Sequence, residues 1–412
     1  MTDARGQRAS AARSLGAMPI WPLAATLAVQ TLATAALFSV PTAAPEIAHD
    51  LNVPGPLVGV FVSAVYGVGI ISALLAPGFI WRYGAVRVSQ MVLLGVAGML
   101  AIAAGGGTVA MLGLAAVTLG LGYGAAAPAS THLLVPQTPR TVFNLVMSIR
   151  QIGVPLGGVL GALIVPPLTL ALGWRPALLI ELGPVLALLA IMELPRRGWD
   201  VGRDPTRPLL GGALLEPFRL LRYDHRLRAL SLASFFYSGV QLCFIAFMTV
   251  QLTTVARFSL VDAGGVLAAY QIAGAVSRPI WGWMADRILP PSRMLALHGL
   301  GMASACIAAG RLGPSWPAAA VMVVGVLAGA TASGYTGVAY AEYARLGGRR
   351  RTEATGLGTA AMFSGVMLIP SAFGIAVTRL GGYTLPYVAL AAAAAASAAV
   401  LWSEPKKGRS GG

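Results

Sequence analysis

Charge is scarce in this chain. Of its 412 residues only 10% are Asp, Glu, Lys or Arg, against about 25% in a typical soluble domain. Hydrophobic residues make up 57%, so there is too little polar surface to solvate a multidomain soluble protein of this length. Lysine is nearly absent, with two residues against 27 arginines, a bias of the kind genome composition produces. Cysteine is limited to Cys243 and Cys306, both inside apolar runs. That excludes a disulfide-stapled secreted scaffold and a cysteine-rich metal site. The net charge of +15 would suit nucleic acid, but aromatics are only 8% and the arginines fall at the ends of apolar runs. That pattern belongs to a membrane protein and no nucleic-acid partner is expected. Also missing are a G-x-x-x-x-G-K-[ST] phosphate loop, C-x-x-C, H-E-x-x-H and a nucleophile elbow with a plausible His and Asp. ATP-driven transport by this chain alone, a metal site, a cofactor and enzymatic chemistry are therefore not expected.

What the chain does have is long apolar runs. Crossing about 30 Å of hydrocarbon takes about 20 apolar residues of helix. Residues 14–45 and 51–81 qualify, and 88–139 splits into two spans at Gly105-Gly106-Gly107. Further spans are expected at 141–168, 175–193, 229–252, 261–285, 294–311, 315–341, 354–378 and 383–402. The expected class is an all-α membrane protein with twelve transmembrane helices. The first span is too long for a cleaved signal peptide and runs on into another span.

Arginine sets the expected orientation. Twenty-three of the 29 Lys and Arg lie in the two tails and one set of alternate loops. The other loops hold Arg175, Arg257, Arg311 and Arg379, and two arginines, Arg150 and Arg278, lie within spans. By the positive-inside rule both termini are expected in the cytoplasm, with the chain in a cell membrane such as the bacterial inner membrane. The spans divide into an N-terminal six-helix bundle (1–195), a basic linker (196–227) and a C-terminal six-helix bundle (228–412). In the linker, Leu214, Leu215, Phe218 and Leu221 sit at helical spacing beside Arg219 and Arg222. This reads as a short amphipathic helix on the inner membrane surface or as an ordinary basic linker.

The halves echo one another. GYGAAAPAS (122–130) pairs with GYTGVAYAE (334–342), and PGFIWRYGAVR (77–87) pairs with GWMADRILPPSR (282–293). Parallel six-helix repeats of this kind put a substrate site between two rocking bundles. In helix count, inside loops and paired loop motif the sequence resembles the major facilitator superfamily over nearly its whole length. That family's loop between helices 2 and 3 reads roughly G-x-L-x-D-R-x-G-R-R and is often echoed between helices 8 and 9. The second copy here keeps Gly282, Asp286, Arg287 and Arg293; the first keeps Arg82, Gly84 and Arg87, with Pro77 for the Gly and Trp81 for the Asp. The resemblance implies that Asp286 caps a neighbouring helix end and steadies one access state, through the attraction of a carboxylate for helix N-termini and arginines.

An intramembrane charge is costly, so each is a functional candidate. Arg150 lies in SIRQIGVPLGG, about 15 Å into its span at 1.5 Å per residue; the alternative to a pathway role is an internal ion pair. Arg278 lies in VSRPIWGW. The string Arg278, Pro279, Gly282 resembles helix 8 of monocarboxylate transporters of the same superfamily, and the resemblance implies that Arg278 binds a substrate carboxylate; Gly274 replaces their acidic residue one turn earlier. One arginine from each half makes a cationic site, and guanidinium matches carboxylate bidentately.

Gln151, Tyr270 and Gln271 are second-rank substrate candidates; Glu181, the one acid well inside a span, is the coupling candidate, or a partner for Arg150. His132 reads as a packed or interfacial histidine. Gly153, Gly157 and Gly161 mark a close-packing helix face. GVPLGG also resembles the G-P-x-x-G-G antiporter signature of drug exporters, out of register. The expected function is alternating-access transport of a small organic anion, with a proton or counter-anion as co-substrate, by a monomer in the bilayer. The alternatives are a drug or metabolite exporter and a non-transporting membrane sensor.

Overall fold

The apolar runs fold as helices because hydrocarbon offers no water to their amides, so each backbone group must be paired within its own segment. The computed structural model describes residues 18–52, 55–200, 202–206, 209 and 216–403, and among these every regular element is helical. Ten segments among the described residues are long and apolar enough to cross a membrane, so this is a multi-pass membrane protein.

The N-terminal part runs α1 (Ile20–Thr42), α2 (Ala44–Asp50), α3 (Gly55–Tyr83), α4 (Ala85–Gly105), α5 (Val109–Tyr123), α6 (Ala126–Leu134), α7 (Phe143–Gln151), α8 (Gly153–Leu172), α9 (Trp174–Ile180) and α10 (Leu182–Ile191). Two short helices, α11 (Arg196–Trp199) and α12 (Glu216–Tyr223), carry the linker. The rest comprises α13 (His225–Thr254), α14 (Leu260–Arg287), α15 (Pro291–Ala309), α16 (Ala318–Ala328), α17 (Thr336–Gly347), α18 (Arg351–Leu380) and α19 (Thr384–Ser403). One buried core is built from residues between Val29 and Met192. A second is built mainly from residues between Leu227 and Leu401, with Val146 and Met147 of α7 joining it from the first part.

Several expected spans are interrupted, for identifiable reasons. The third begins at Ala85 rather than residue 88, after Gly84 turns the chain at φ +98°. The fifth breaks at Ile152 because Pro155 has no N–H to give the Gln151 carbonyl four residues back. The sixth breaks at Glu181, with Pro184 standing in the same relation to Ile180. The tenth joins α16 to α17 through a π-helical stretch, Gly329–Ser333, a distortion that leaves carbonyls without regular partners. In the linker, α12 exposes Arg219 and Arg222 and half-buries Leu221; Leu214 and Leu215 lie outside the described residues.

The glycine face of α8 packs against α1. A Cβ on Gly157 would stand 2.4 Å from the Thr31 carbonyl oxygen and 2.7 Å from the Thr34 Cβ, and one on Gly153 would meet the Leu27 carbonyl at 2.9 Å. At the end of the bundle away from the arginine-rich loops, Arg175 pairs with Asp50, and Trp174 Nε1 donates to the same carboxylate at 3.2 Å. The Arg175 bond holds the Asp50 carboxyl below its usual range. Gly157→Val should force α1 and α8 apart and lower stability by about 1–3 kcal/mol. Thermal unfolding in detergent checks this, with Gly158→Ala, whose nearest neighbour would be Phe38 at an ordinary 3.7 Å, expected to melt like the parent.

Candidate functional site

A cavity of about 110 Å³ lies between the two parts of the bundle. The first part lines it with Gln30 of α1, Tyr66 of α3, Tyr123 of α5, and Gln151 and Pro155 at the α7–α8 break. Facing them are Gln241 of α13, Gln271 and Arg278 of α14, Tyr335 and Tyr340 around the start of α17, and Phe363 of α18. Phe363 crosses to the other part: its ring stacks on Tyr123 at 5.6 Å and meets Tyr66 edge-on at 4.9 Å. Gly69 makes room, since a Cβ there would sit 2.9 Å from the Phe363 ring. Both GY pairs of the internal repeat fall at matching breaks, Tyr123 at the end of α5 and Tyr335 after the π-helical stretch, and both tyrosines line the cavity.

Arg278 is fully buried, and its guanidinium is satisfied by neutral acceptors. Nε donates to the Ser333 carbonyl at 3.0 Å, one terminal nitrogen to the Ser333 hydroxyl at 3.1 Å, and the other to the Gln151 carbonyl. These are the oxygens that the helix breaks expose, one freed by Pro155 and one in the π-helical stretch. Arg150 is also buried. It donates to the Ser130 hydroxyl and to the Gln151 side-chain oxygen, and lies 5.5 Å over the Tyr340 ring. Its Nε has no acceptor among the described residues. Among the described residues neither guanidinium has a carboxylate within ion-pair distance. The two therefore converge on Gln151, one on its backbone and one on its side chain.

The other candidates divide. Gln151 and Gln271 line the cavity. Tyr270 does not: its ring is buried beside Phe244 and its hydroxyl donates to the Gln241 carbonyl at 3.3 Å. Glu181 does not reach Arg150; at the α9–α10 break its carboxyl faces the Ser39 hydroxyl, outside the cavity lining.

The arginine-rich end is closed by contacts between the two parts. Asp286 accepts from the Asn144 and Leu145 amides at 3.0 and 2.9 Å and from the Asn144 side chain at 2.8 Å, capping α7. Gly282 permits this approach, because a Cβ there would stand 2.6 Å from the Ser148 hydroxyl. Arg287 adds its charge beside Asp286. In the first copy of the motif, Arg87 pairs with Glu193 at 3.4 Å and Arg82 lies over Tyr83 at 5.7 Å, both within the first part. Gly84 leaves space for Asp200, whose carboxylate accepts from the Val86 and Arg87 amides at 2.8 and 3.2 Å. Burial nonetheless pushes the Asp200 carboxyl up from its ordinary value.

Sequence reasoning missed the partner of Trp81. Its indole N–H donates to the Glu353 carboxylate at 3.1 Å, in the first turn of α18. His132, edge-on to Trp81 at 4.9 Å, shares a 2.9 Å hydrogen bond with the Thr352 hydroxyl. Where the family pattern has a carboxylate facing this helix start, this chain has an indole donor and places the carboxylate on the helix itself. An acid in the first turn of the eleventh span was the available signal.

The description "Major Facilitator Superfamily" fits two overlapping stretches, residues 26–319 and 230–411. The chain belongs to that superfamily. A chloroplastic ascorbate transporter of Arabidopsis thaliana is 25% identical over 65% of this chain and 51% of its own length. The 4-hydroxybenzoate transporter PcaK of Pseudomonas aeruginosa is 27% identical over 60% of this chain and 62% of its own. The probable nitrate/nitrite transporter NarK2 of Mycobacterium tuberculosis is 30% identical over 36% of each chain. The aligned part thus spans between about a third and two thirds of these relatives. Among solved structures, the human organic anion transporter MFSD10 superposes with TM-score 0.74 at 18% identity, over 93% of this chain and 99% of that one. The Escherichia coli fucose:proton symporter FucP gives 0.71 at 16%, over 93% and 98%. The superfamily and the relatives' names are those of transporters rather than enzymes.

Asp286→Ala should remove the α7 cap and cost about 0.5–2 kcal/mol, read as a lower midpoint of thermal unfolding in detergent.

Proposed function

We propose that this superfamily member is a secondary transporter that moves a small organic anion, a carboxylate foremost, by alternating access of two six-helix bundles. The observation that carries this reading is the pair of buried guanidiniums, Arg278 in the cavity wall and Arg150 behind it, whose partners among the described residues are neutral oxygens and an aromatic face. A buried cation without a counter-ion is costly, and an anion entering the cavity beside Arg278 supplies one. Arg278 carries the direct contact from the cavity wall, Gln151 and Gln271 offer further hydrogen bonds, and Arg150 adds its charge from behind Gln151. Three relatives bear the names of anions, ascorbate, nitrate or nitrite, and 4-hydroxybenzoate, which supports the class without choosing among its members.

Twelve crossings follow from the ten apolar segments on two grounds. The 63-residue segment Ala318–Leu380 turns back at Gly348, and the 19-residue α15 is long enough to cross as well. With the bundles at 1–195 and 228–412 and the basic linker between them, both termini fall on the arginine-rich, cytoplasmic side. The Asp286 cap and the Trp81–Glu353 and His132–Thr352 contacts then form the inner gate, closed in this conformation. Glu181 lies off the cavity, so coupling runs through the substrate's own proton or through a counter-anion. An exporter of cationic drugs would want acidic groups in the cavity wall, where among the described residues Arg278 is the ionised side chain.

Small carboxylates, and lipophilic cations as a contrast, are tested by thermal shift on the purified protein. A ligand at a hundred times its dissociation constant stabilises the folded state by about 2.7 kcal/mol. Carboxylates should raise the melting temperature, and Arg278→Ala should weaken their affinity by about ten- to a hundredfold, as expected for a lost charge-assisted bond. Stabilisation by cations alone, equal in Arg150→Ala and Arg278→Ala, would reject the anion site.

A further inference from the structure

Each of the two arginines has one partner across the bundle interface and the rest on its own side. Arg278 moves with Ser333, since α14 and the π-helical stretch belong to the same part, but its bond to the Gln151 carbonyl reaches into the other. Arg150 moves with Ser130 and Gln151, but the ring it lies over, Tyr340, is in the opposite part. Rocking the bundles apart while the cavity is empty therefore strips both guanidiniums of a cross-interface partner in a buried setting. An anion held on Arg278 in the cavity would replace the Gln151 carbonyl, with the charge of Arg150 close behind Gln151, and travel with the site. Desolvated cations are expensive to leave without acceptors, so the empty carrier has the higher barrier.

We infer that the chain is an obligatory anion exchanger, in which the Arg278–Gln151 carbonyl bond locks the empty carrier and a bound anion releases it. The inference rests on the proposed anion site and adds the coupling mode: the counter-substrate is a second anion, and the loaded forms alone cross rapidly. The lock depends on Pro155. Because that residue has no N–H, the Gln151 carbonyl has no helical partner and is left for Arg278. Reorientation needs a loaded site because the bond that must break is one the substrate's carboxylate can replace, a charge-assisted bond for a charge-assisted bond.

The test uses the full-length protein in proteoliposomes with labelled 4-hydroxybenzoate, ascorbate and nitrate as probes. Vesicles preloaded with the same unlabelled anion should take up label at least about tenfold faster than empty vesicles, the size of effect one charge-assisted bond supports. Pro155→Ala gives the Gln151 carbonyl a competing helical donor, and the ratio of preloaded to empty uptake should fall toward one. Pro167→Ala, an exposed proline later in α8, should keep the parental ratio, separating the lock from helix stiffness. Equal uptake by preloaded and empty wild-type vesicles would overturn the exchange mode and leave the anion reading standing. Uptake of no probe under either condition would overturn both.

A ligand-free measurement bears on the lock alone. Arg140→Cys and Arg349→Cys, exposed in the two parts at the arginine-rich end, carry spin labels while the native Cys243 and Cys306 stay buried. Without anion the parent should give one short distance, and Pro155→Ala should add a longer one. Identical distance distributions would overturn the role given to Pro155 and Arg278.

Discussion

Two positive charges in the middle of an apolar bundle have to be solvated by something; backbone carbonyls do it for Arg278, and a hydroxyl and a side-chain amide oxygen do it for Arg150. Among the described residues neither Arg150 nor Arg278 has a carboxylate within ion-pair distance, and the oxygens that Arg278 takes come from helices that would otherwise use them internally. Proline at 155 and the π-helical stretch at 329–333 are the means of freeing them. The irregularities in the fifth and tenth spans and the arginines are thus one feature. A regular α-helix through either place would leave a guanidinium with too few acceptors, and a membrane interior punishes that more than a bent helix. The glycines that bring α8 onto α1 and α14 onto α7 then set the approach that lets the side chains reach across.

The closed end follows a second constraint, the unpaired amides at helix starts. Asp286 meets the start of α7 with a carboxylate, the usual electrostatic solution. At the start of α18 the helix supplies its own acid, Glu353, and the facing loop supplies a donor, Trp81. Donor and acceptor have changed sides, yet the seam is still bridged. His132 and Thr352 extend the same seam, so that a histidine expected to be packed or interfacial takes part in an inter-bundle contact.

What was legible in the sequence is what one dimension records. Run length and arginine placement located the spans, depth marked Arg150 and Arg278, and four-residue spacing marked the glycine face. The helix breaks were readable in principle, since each proline names the carbonyl it deprives. Contacts between distant segments were not: Trp81 and Glu353 are 272 residues apart, and Phe363 reaches Tyr66 and Tyr123 from the far end of the chain. Tyr270 and Gln271 are neighbours with equal claims by polarity, but a helix points adjacent side chains about 100° apart, so Gln271 faces the cavity and Tyr270 the core. Charge alone made Arg150 one possible partner for Glu181, but at the α9–α10 break its carboxyl faces Ser39 instead.

The two seams at the arginine-rich end are not equally sewn. One holds three hydrogen bonds to a single carboxylate, two of them from backbone amides that cannot swing away. The other includes an indole-to-carboxylate bond and an imidazole-to-hydroxyl bond, each made between side chains. The first bridge therefore survives most changes on the α7 side, since two of its three donors are main chain and present whatever the residue, whereas the Trp81–Glu353 and His132–Thr352 bonds can each be lost by substitution at either end.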